Sequence, residues 1–207
     1  MQQPPPGRTR LGRLDVILVR HAEAVTGAGW KDRDDERPLS DAGRRAAREL
    51  AEELDPFGFT AIYSSPMARA LQTIEPLADR REMDVTVLPD LRERDTSATA
   101  RVDWSSHLQR SWTNPDYAPP ESETGRAAQM RALRVLDLLR AHYPDGGRVL
   151  VSSHGNLISL ILQAFEPAVD YAFHAAMPLP ALYHLEHDGM GWRVMGGHGF
   201  VETAAVN

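Results

Sequence analysis

Arg20, His21, Arg69, Glu93 and His154 are the side chains whose types and settings could do chemistry. Arg20 and His21 close an apolar run, Leu14-Asp15-Val16-Ile17-Leu18-Val19, and His154 closes another, Val149-Leu150-Val151-Ser152-Ser153. A histidine leaving a buried strand is often only a hydrogen-bonded core residue. The arginine directly before His21 changes that balance, because a buried guanidinium needs an anionic partner. Glu23 is the only carboxylate close by in sequence. A ligand phosphate is the more economical partner, since paired Arg donors match phosphate oxygens. Ser65-Pro66 reads as a helix start, with serine as cap and proline at the first helical position. Such a start points free N–H groups at whatever lies beyond the strand before it. Arg69 then falls in the first turn, where a cation opposes the helix dipole unless an anion is bound. Glu93, between Arg92 and Arg94, is by itself a surface carboxylate. Beside a phosphate it could protonate a departing oxygen, with His154 as a further donor to the phosphoryl group.

These residues need a scaffold that brings distant strand ends together. The first strand is followed by a charged, glycine-bearing stretch, residues 24–38, and then by a helix capped by Ser40, with Ala46, Ala47, Leu50 and Leu54 at helical spacing. Residues 59–64 read as a second strand. Pro76 should kink or shorten the helix that Ser65-Pro66 opens, and Val85-Thr86-Val87-Leu88 is a third strand. Residues 89–123 show little periodicity, carry four prolines, and scatter Trp104, Trp112 and Tyr117 among polar side chains. A loop of that length in a compact domain suggests a lid, here spanning about residues 95–123. A long amphipathic helix follows over 124–142, then the strand ending at His154, an apolar helix over 157–165, and a β-hairpin made of residues 181–186 and 192–195. Alternation of strand and helix predicts one α/β domain, residues 14–207. It should be a three-layer sandwich whose mostly parallel central sheet carries helices on both faces, with the lid as an insertion. Residues 1–13, with three consecutive prolines and no apolar core, read as a disordered tail rather than a secretory signal.

Composition narrows the function classes. The chain has no cysteine, which excludes disulfides and thiolate catalysis. A net charge of −6 argues against a general nucleic-acid binder. No apolar run approaches the roughly 20 residues that span a bilayer. With no export signal, the expected setting is the cytoplasm. No H-E-x-x-H pattern occurs, so no metal or cofactor is expected. His184 and His187 lie three apart on a strand, on opposite faces, and read as surface residues rather than ligands.

Five segments in order, Leu18-Val19-Arg20-His21-Ala22-Glu23, Pro38-Leu39-Ser40-Asp41-Ala42-Gly43, Ser64 to Thr73, Leu91-Arg92-Glu93 and Ser153-His154-Gly155-Asn156, resemble the histidine phosphatase superfamily, the phosphoglycerate mutase-like or RHG group. The resemblance covers residues 14–160. It implies that His21 is the nucleophile that becomes phosphorylated, that Arg20, Arg69 and His154 hold the phosphoryl oxygens with Asn156 beside them, and that Glu93 is the general acid.

Three departures stand out. Ala22 replaces the usual glycine. Gly27 stands where the family often has a phosphate-binding asparagine, a contact that Thr26 could supply. The Gly-Glu-Ser segment before the long helix is degraded, and spacing to Arg131 favours Glu123-Thr124 as its counterpart. The expectation is a phosphatase acting on a phosphomonoester through a phosphohistidine, the substrate being a phosphorylated small molecule or a phosphohistidine protein. A mutase is the alternative, for which Arg92, Arg94 and Arg101 could bind a second anionic group, although a solvated charged face is the simpler reading of them. A non-catalytic phosphate- or protein-binding module is the third possibility. Specificity should come from residues 24–38 and from the surroundings of Trp104, Trp112 and Tyr117.

Overall fold

Strand β1 (Leu14–Arg20) is the centre of a six-stranded sheet. In the computed structural model, residues 12–30, 33–96 and 104–200 are described, with backbone alone for Ala28, Trp104 and Ser105. Alternate side chains of β1 enter two different cores, as the period of two along a strand requires. Leu14, Val16 and Leu18 pack with helices α4 (Gly125–His142) and α5 (Gly155–Gln163). Ile17 and Val19 pack with α1 (Asp41–Leu54) and α2 (Ala68–Arg81). Two apolar faces demand two helical layers, and the three-layer α/β sandwich follows.

The remaining strands are β2 (Ala61–Ser64), β3 (Val85–Val87), β4 (Gly147–Ser153), β5 (Ala181–His187) and β6 (Trp192–Gly197). Their order is β3-β2-β4-β1-β5-β6. The first four neighbours run parallel, and the β5–β6 hairpin adds antiparallel strands at one edge. Register decides what meets at the carboxyl ends. Arg20 lies opposite Ser153 and Ser64 opposite Ser152. The backbone N–H of His21 therefore donates to Ser153 O at 3.0 Å, and that of Ser65 to Ser152 O at 2.9 Å. Parallel strands that end level put their loops on one lip, where ligands of open α/β sheets bind.

Helix α1 starts as its sequence predicts, with the Ser40 hydroxyl accepting from Gly43 N–H at 3.0 Å. Gly43 has a second reason to be glycine, since a Cβ there would lie 2.0 Å from the carbonyl oxygen of Glu23. Glu23 in turn accepts from Ser40 Oγ at 2.5 Å, so it caps this junction and is not the counter-ion of Arg20. Helix α2 departs from expectation twice. It begins at Ala68 with Met67 as N-cap, the Ser65 hydroxyl accepting from Met67 N–H at 3.3 Å just before it, and it runs through Pro76 to Arg81 without being shortened.

The aperiodic stretch 89–123 contains a 3-10 turn, Pro89–Leu91, and, within the part read as a lid, helix α3 (Trp104–Thr113). Residues 97–103, with Arg101, lie outside the described residues, as does the Trp104 side chain. Leu108 and Ser111 of α3 are buried. Short helix α6 (Tyr171–Ala176), capped by Asp170, was likewise not anticipated. Gly12 and Arg13 are not tail: Gly12 N–H donates to Pro144 O at 2.9 Å, and Arg13 bridges Asp15 and Glu186, both at 2.9 Å. Residues 1–11 and 201–207 lie outside the described residues. Among the described residues, no helix is long and apolar enough to cross a membrane.

Candidate active site

His21 leaves β1 nine-tenths buried, and its two ring nitrogens have different partners. Nδ1 lies 2.6 Å from the carbonyl of Ala22, so it must carry the proton. Nε2 is left with its lone pair, which accepts from Arg69 Nε at 3.2 Å. Burial pushes the His21 pKa down to about 3, against the Ala22 hydrogen bond and with help from the charges of Arg69, Arg20 and Arg37. The imidazole is therefore neutral at any ordinary pH.

The sign of this shift makes a stability prediction. Between pH 6.5 and about 3 the unfolded chain binds a proton at His21 that the folded chain does not, so stability falls as pH falls through that window. Above pH 6.5 the effect vanishes. His21→Gln is expected to remove it, gaining about 2 kcal/mol relative to the parent at about pH 5 and nothing from this source at pH 7. Urea unfolding at the two pH values checks this.

Arg69, in the first turn of α2, is 2 % exposed. Its guanidinium also donates from Nη1 to Asp34 O at 2.8 Å and from Nη2 to Asp34 Oδ2 at 3.1 Å. Asp34 Oδ1 accepts from Arg37 Nε at 2.8 Å, so one carboxylate ties two arginines together beside His21. Neither Asp34 nor Arg37 stood out in the sequence, although Arg37 directly precedes the Pro38-Leu39-Ser40 segment. Thr26, the candidate for the missing asparagine contact, is exposed, and the loop's recorded contacts to Arg69 come from Asp34 instead. Burial draws the Arg69 pKa below its ordinary value, while the Asp34 charge opposes that shift.

His154, the N-cap of α5, is fully buried, with Nε2 2.7 Å from Ser65 Oγ. The same hydroxyl also accepts from Met67 N–H at 3.3 Å, one residue before α2. The rings of His21 and His154 meet edge to face, 5.2 Å between centroids. Burial, followed by the charges of Arg69 and His21, holds the His154 pKa well below its ordinary value. Arg20 reaches across to α5, and a Cβ on Gly155 would stand 2.8 Å from its Nε, so glycine is required for this approach. One end of the guanidinium donates from Nη1 to the carbonyl of Met177 and, at 3.3 Å, to that of Pro178. Arg20 Nε, His154 Nδ1 and Asn156 Oδ1 are buried with no hydrogen-bond partner among the described residues. Buried polar atoms without partners are rare enough to point to a ligand.

Glu93 lies at the N-terminus of α5. Its Oε1 accepts from Leu157 N–H at 3.1 Å and its Oε2 from Asn156 N–H at 3.2 Å, satisfying donors that His154 does not cap. Its charge acts on both Arg20 and Arg69. Arg94 is not on a solvated face: it is 4 % exposed and donates to Ser111 Oγ at 2.7 Å and to Glu123 O at 2.9 Å. Trp112 of α3 stacks on His174 of α6, 5.6 Å between centroids, while Tyr117 is stacked on His107 with Arg110 over its ring. His184 donates from Nε2 to Asp15 Oδ1 at 2.8 Å, away from this cluster, and no group of three or more potential metal ligands occurs among the described residues.

Five side chains spread over 134 residues of sequence thus meet at one lip of the sheet, a neutral imidazole facing buried guanidinium groups and a second imidazole, with a carboxylate beside them. The family model of the histidine phosphatase superfamily (branch 1) matches residues 16–196. The chain belongs to that superfamily. It is 29 % identical over 169 residues to a probable phosphoglycerate mutase GpmB of Enterobacter, covering 77 % of this chain and 78 % of the relative. It is also 29 % identical over 148 residues to an uncharacterized phosphatase PhoE of Bacillus subtilis, covering 71 % and 75 %. A mycobacterial glucosyl-3-phosphoglycerate phosphatase superimposes with a TM-score of 0.71 at 22 % identity, covering 88 % of this chain and 97 % of that one. Relatives thus include phosphatases and phosphoglycerate mutases.

Proposed function

We propose that this protein is a phosphatase that hydrolyses a phosphomonoester of a small molecule through a phosphohistidine on His21. The observation that carries the reading is the His21 ring, with Nδ1–H fixed on Ala22 O and the Nε2 lone pair turned toward Arg69. A neutral imidazole nitrogen is a competent nucleophile. In the first step Nε2 attacks phosphorus and the bridging P–O bond breaks. Glu93 supplies the proton that the departing alcohol requires. In the second step water attacks the phosphohistidine, its proton passes to the Glu93 carboxylate, and inorganic phosphate leaves with His21 restored. Arg20, Arg69 and His154 stabilise the charge on the transferring phosphoryl oxygens, the effect that dominates this reaction class. Asn156, beside Glu93, completes the phosphate pocket.

The mutase reading has support in the GpmB relative, which is as similar as the phosphatase PhoE. A mutase needs cations to hold the second acidic group of its substrate while the phosphoryl group moves. Of the candidate cations, Arg94, just before the lid, is buried and committed to Ser111 and Glu123, which favours hydrolysis, while the Arg92 side chain is 44 % exposed with Glu123 3.9 Å away. Incubation with aryl phosphates and with 3-phosphoglycerate, in the presence of EDTA, is expected to release free phosphate without forming 2-phosphoglycerate. Isomerisation outpacing release would make the protein a mutase.

A further inference from the structure

Glu93 belongs to no helix or strand, yet a proton donor must be held in place. The group that fixes its segment comes from α4. Arg131 is 3 % exposed and uses all five of its N–H donors. Nη1 donates to the carbonyls of Asp90 at 2.6 Å and Arg92 at 2.8 Å, and Nη2 to that of Glu93 at 3.2 Å. The other edge forms a two-pronged pair with Glu123, Nε to Oε1 at 2.8 Å and Nη2 to Oε2 at 2.9 Å. Glu123 then takes hold of the far side of the segment. Its Oε2 accepts from Asp95 N–H at 3.2 Å, and its own N–H donates to Asp95 O at 2.8 Å. The backbone is thus gripped immediately before Glu93, at it, and two residues beyond.

A buried ion pair is an expensive way to gain stability, since apolar residues of similar size often serve as well. What a planar guanidinium does better is fix several acceptors in one plane. We infer that Arg131 and Glu123 are positioning residues that hold Glu93 on the N-terminus of α5, where its carboxylate meets the Asn156 and Leu157 amides. The inference rests on the reading of Glu93 as the proton donor.

The test uses Arg131→Lys, which keeps the charge but loses the fork, with Glu123→Gln as a second variant that leaves the guanidinium in place. Two readouts are needed. The amides of Asn156 and Leu157 are hydrogen-bonded to Glu93, so their exchange with deuterium should quicken at least about tenfold in either variant while β1 stays protected. In parallel, kcat/KM for phenyl phosphate should fall at least about tenfold. That for 2,4-dinitrophenyl phosphate, whose leaving group needs no proton, should stay within about threefold. Unchanged exchange at Asn156 and Leu157 would overturn the inference whatever the activity. So would an equal loss on both substrates, the mark of a merely structural pair. If the parent protein hydrolyses neither ester, the phosphatase reading fails, and the exchange result still decides whether Arg131 positions Glu93.

Discussion

His21→Ala is expected to lower kcat/KM for an aryl phosphate by at least about a hundredfold, the scale of losing a nucleophile. The argument is geometric. His21 Nε2 is the one imidazole nitrogen in the cluster with both a fixed tautomer and an arginine aimed at it. His154, edge-on to it at 5.2 Å, has its Nε2 tied to Ser65 and sits deeper, with no exposed surface. It is poorly placed to substitute. The change leaves a cavity and takes the acceptor from the buried Arg69 Nε–H, so some stability is lost with the activity, and the unfolding midpoint is measured alongside to show that the variant is folded at the assay temperature. Rapid-quench labelling with a phosphorylated substrate should place the label on His21 in the parent and nowhere in the variant. Turnover that survives in His21→Ala, or label found on His154, would refute the assignment.

What could be read from the sequence divides by the range of the interactions involved. The apolar run of β1, the Ser40 cap and the amphipathic pattern over 124–142 are local, and the strand and helices they predict are present. Arg20, His21, Arg69 and His154 stand at strand ends or a helix start, positions that parallel strands place on one lip, whereas Glu93 was singled out by the family resemblance. Ser65 misled only in register: its hydroxyl holds Met67 N–H at 3.3 Å, ahead of the first turn of α2, and also meets His154, 89 residues away. Asp34 and Arg37 were invisible as site neighbours because their link to α2 is a contact between a loop and a distant helix, with no periodicity to announce it. Helix α3 is ten residues long and polar, its buried side a short run that includes Leu108 and Ser111, which is too little to raise a pattern between flanking prolines. Burial of Arg94 and Arg131 was equally unreadable, since each is matched only by groups that the tertiary fold supplies.

Arg69→Lys is the second change with a large expected effect, a loss of about a hundredfold in kcat/KM with the positive charge retained. A lysine could still neutralise a phosphate. It could not donate at once to His21 and to the two oxygens of Asp34 that Arg69 now reaches. Those contacts are the reason an arginine stands against the dipole of α2. They orient the nucleophile and, through Asp34, hold Arg37 toward the same centre. In the resting site Arg69 gives four of its five N–H groups, to His21, Asp34 O, Asp34 Oδ2 and Met67 Sδ, so an incoming phosphoryl group competes with the Asp34 carboxylate for this guanidinium. Asp34→Asn, which removes the competing charge but keeps an acceptor, should therefore tighten inhibition by inorganic phosphate, whereas Arg69→Lys should weaken it. Measuring the phosphate inhibition constant in both variants separates two roles that one rate would merge. If Arg69→Lys kept kcat/KM within about threefold and lost only thermal stability, Arg69 would be a tether for the loop carrying Asp34, and the phosphoryl group would have to be held by Arg20 and His154 alone.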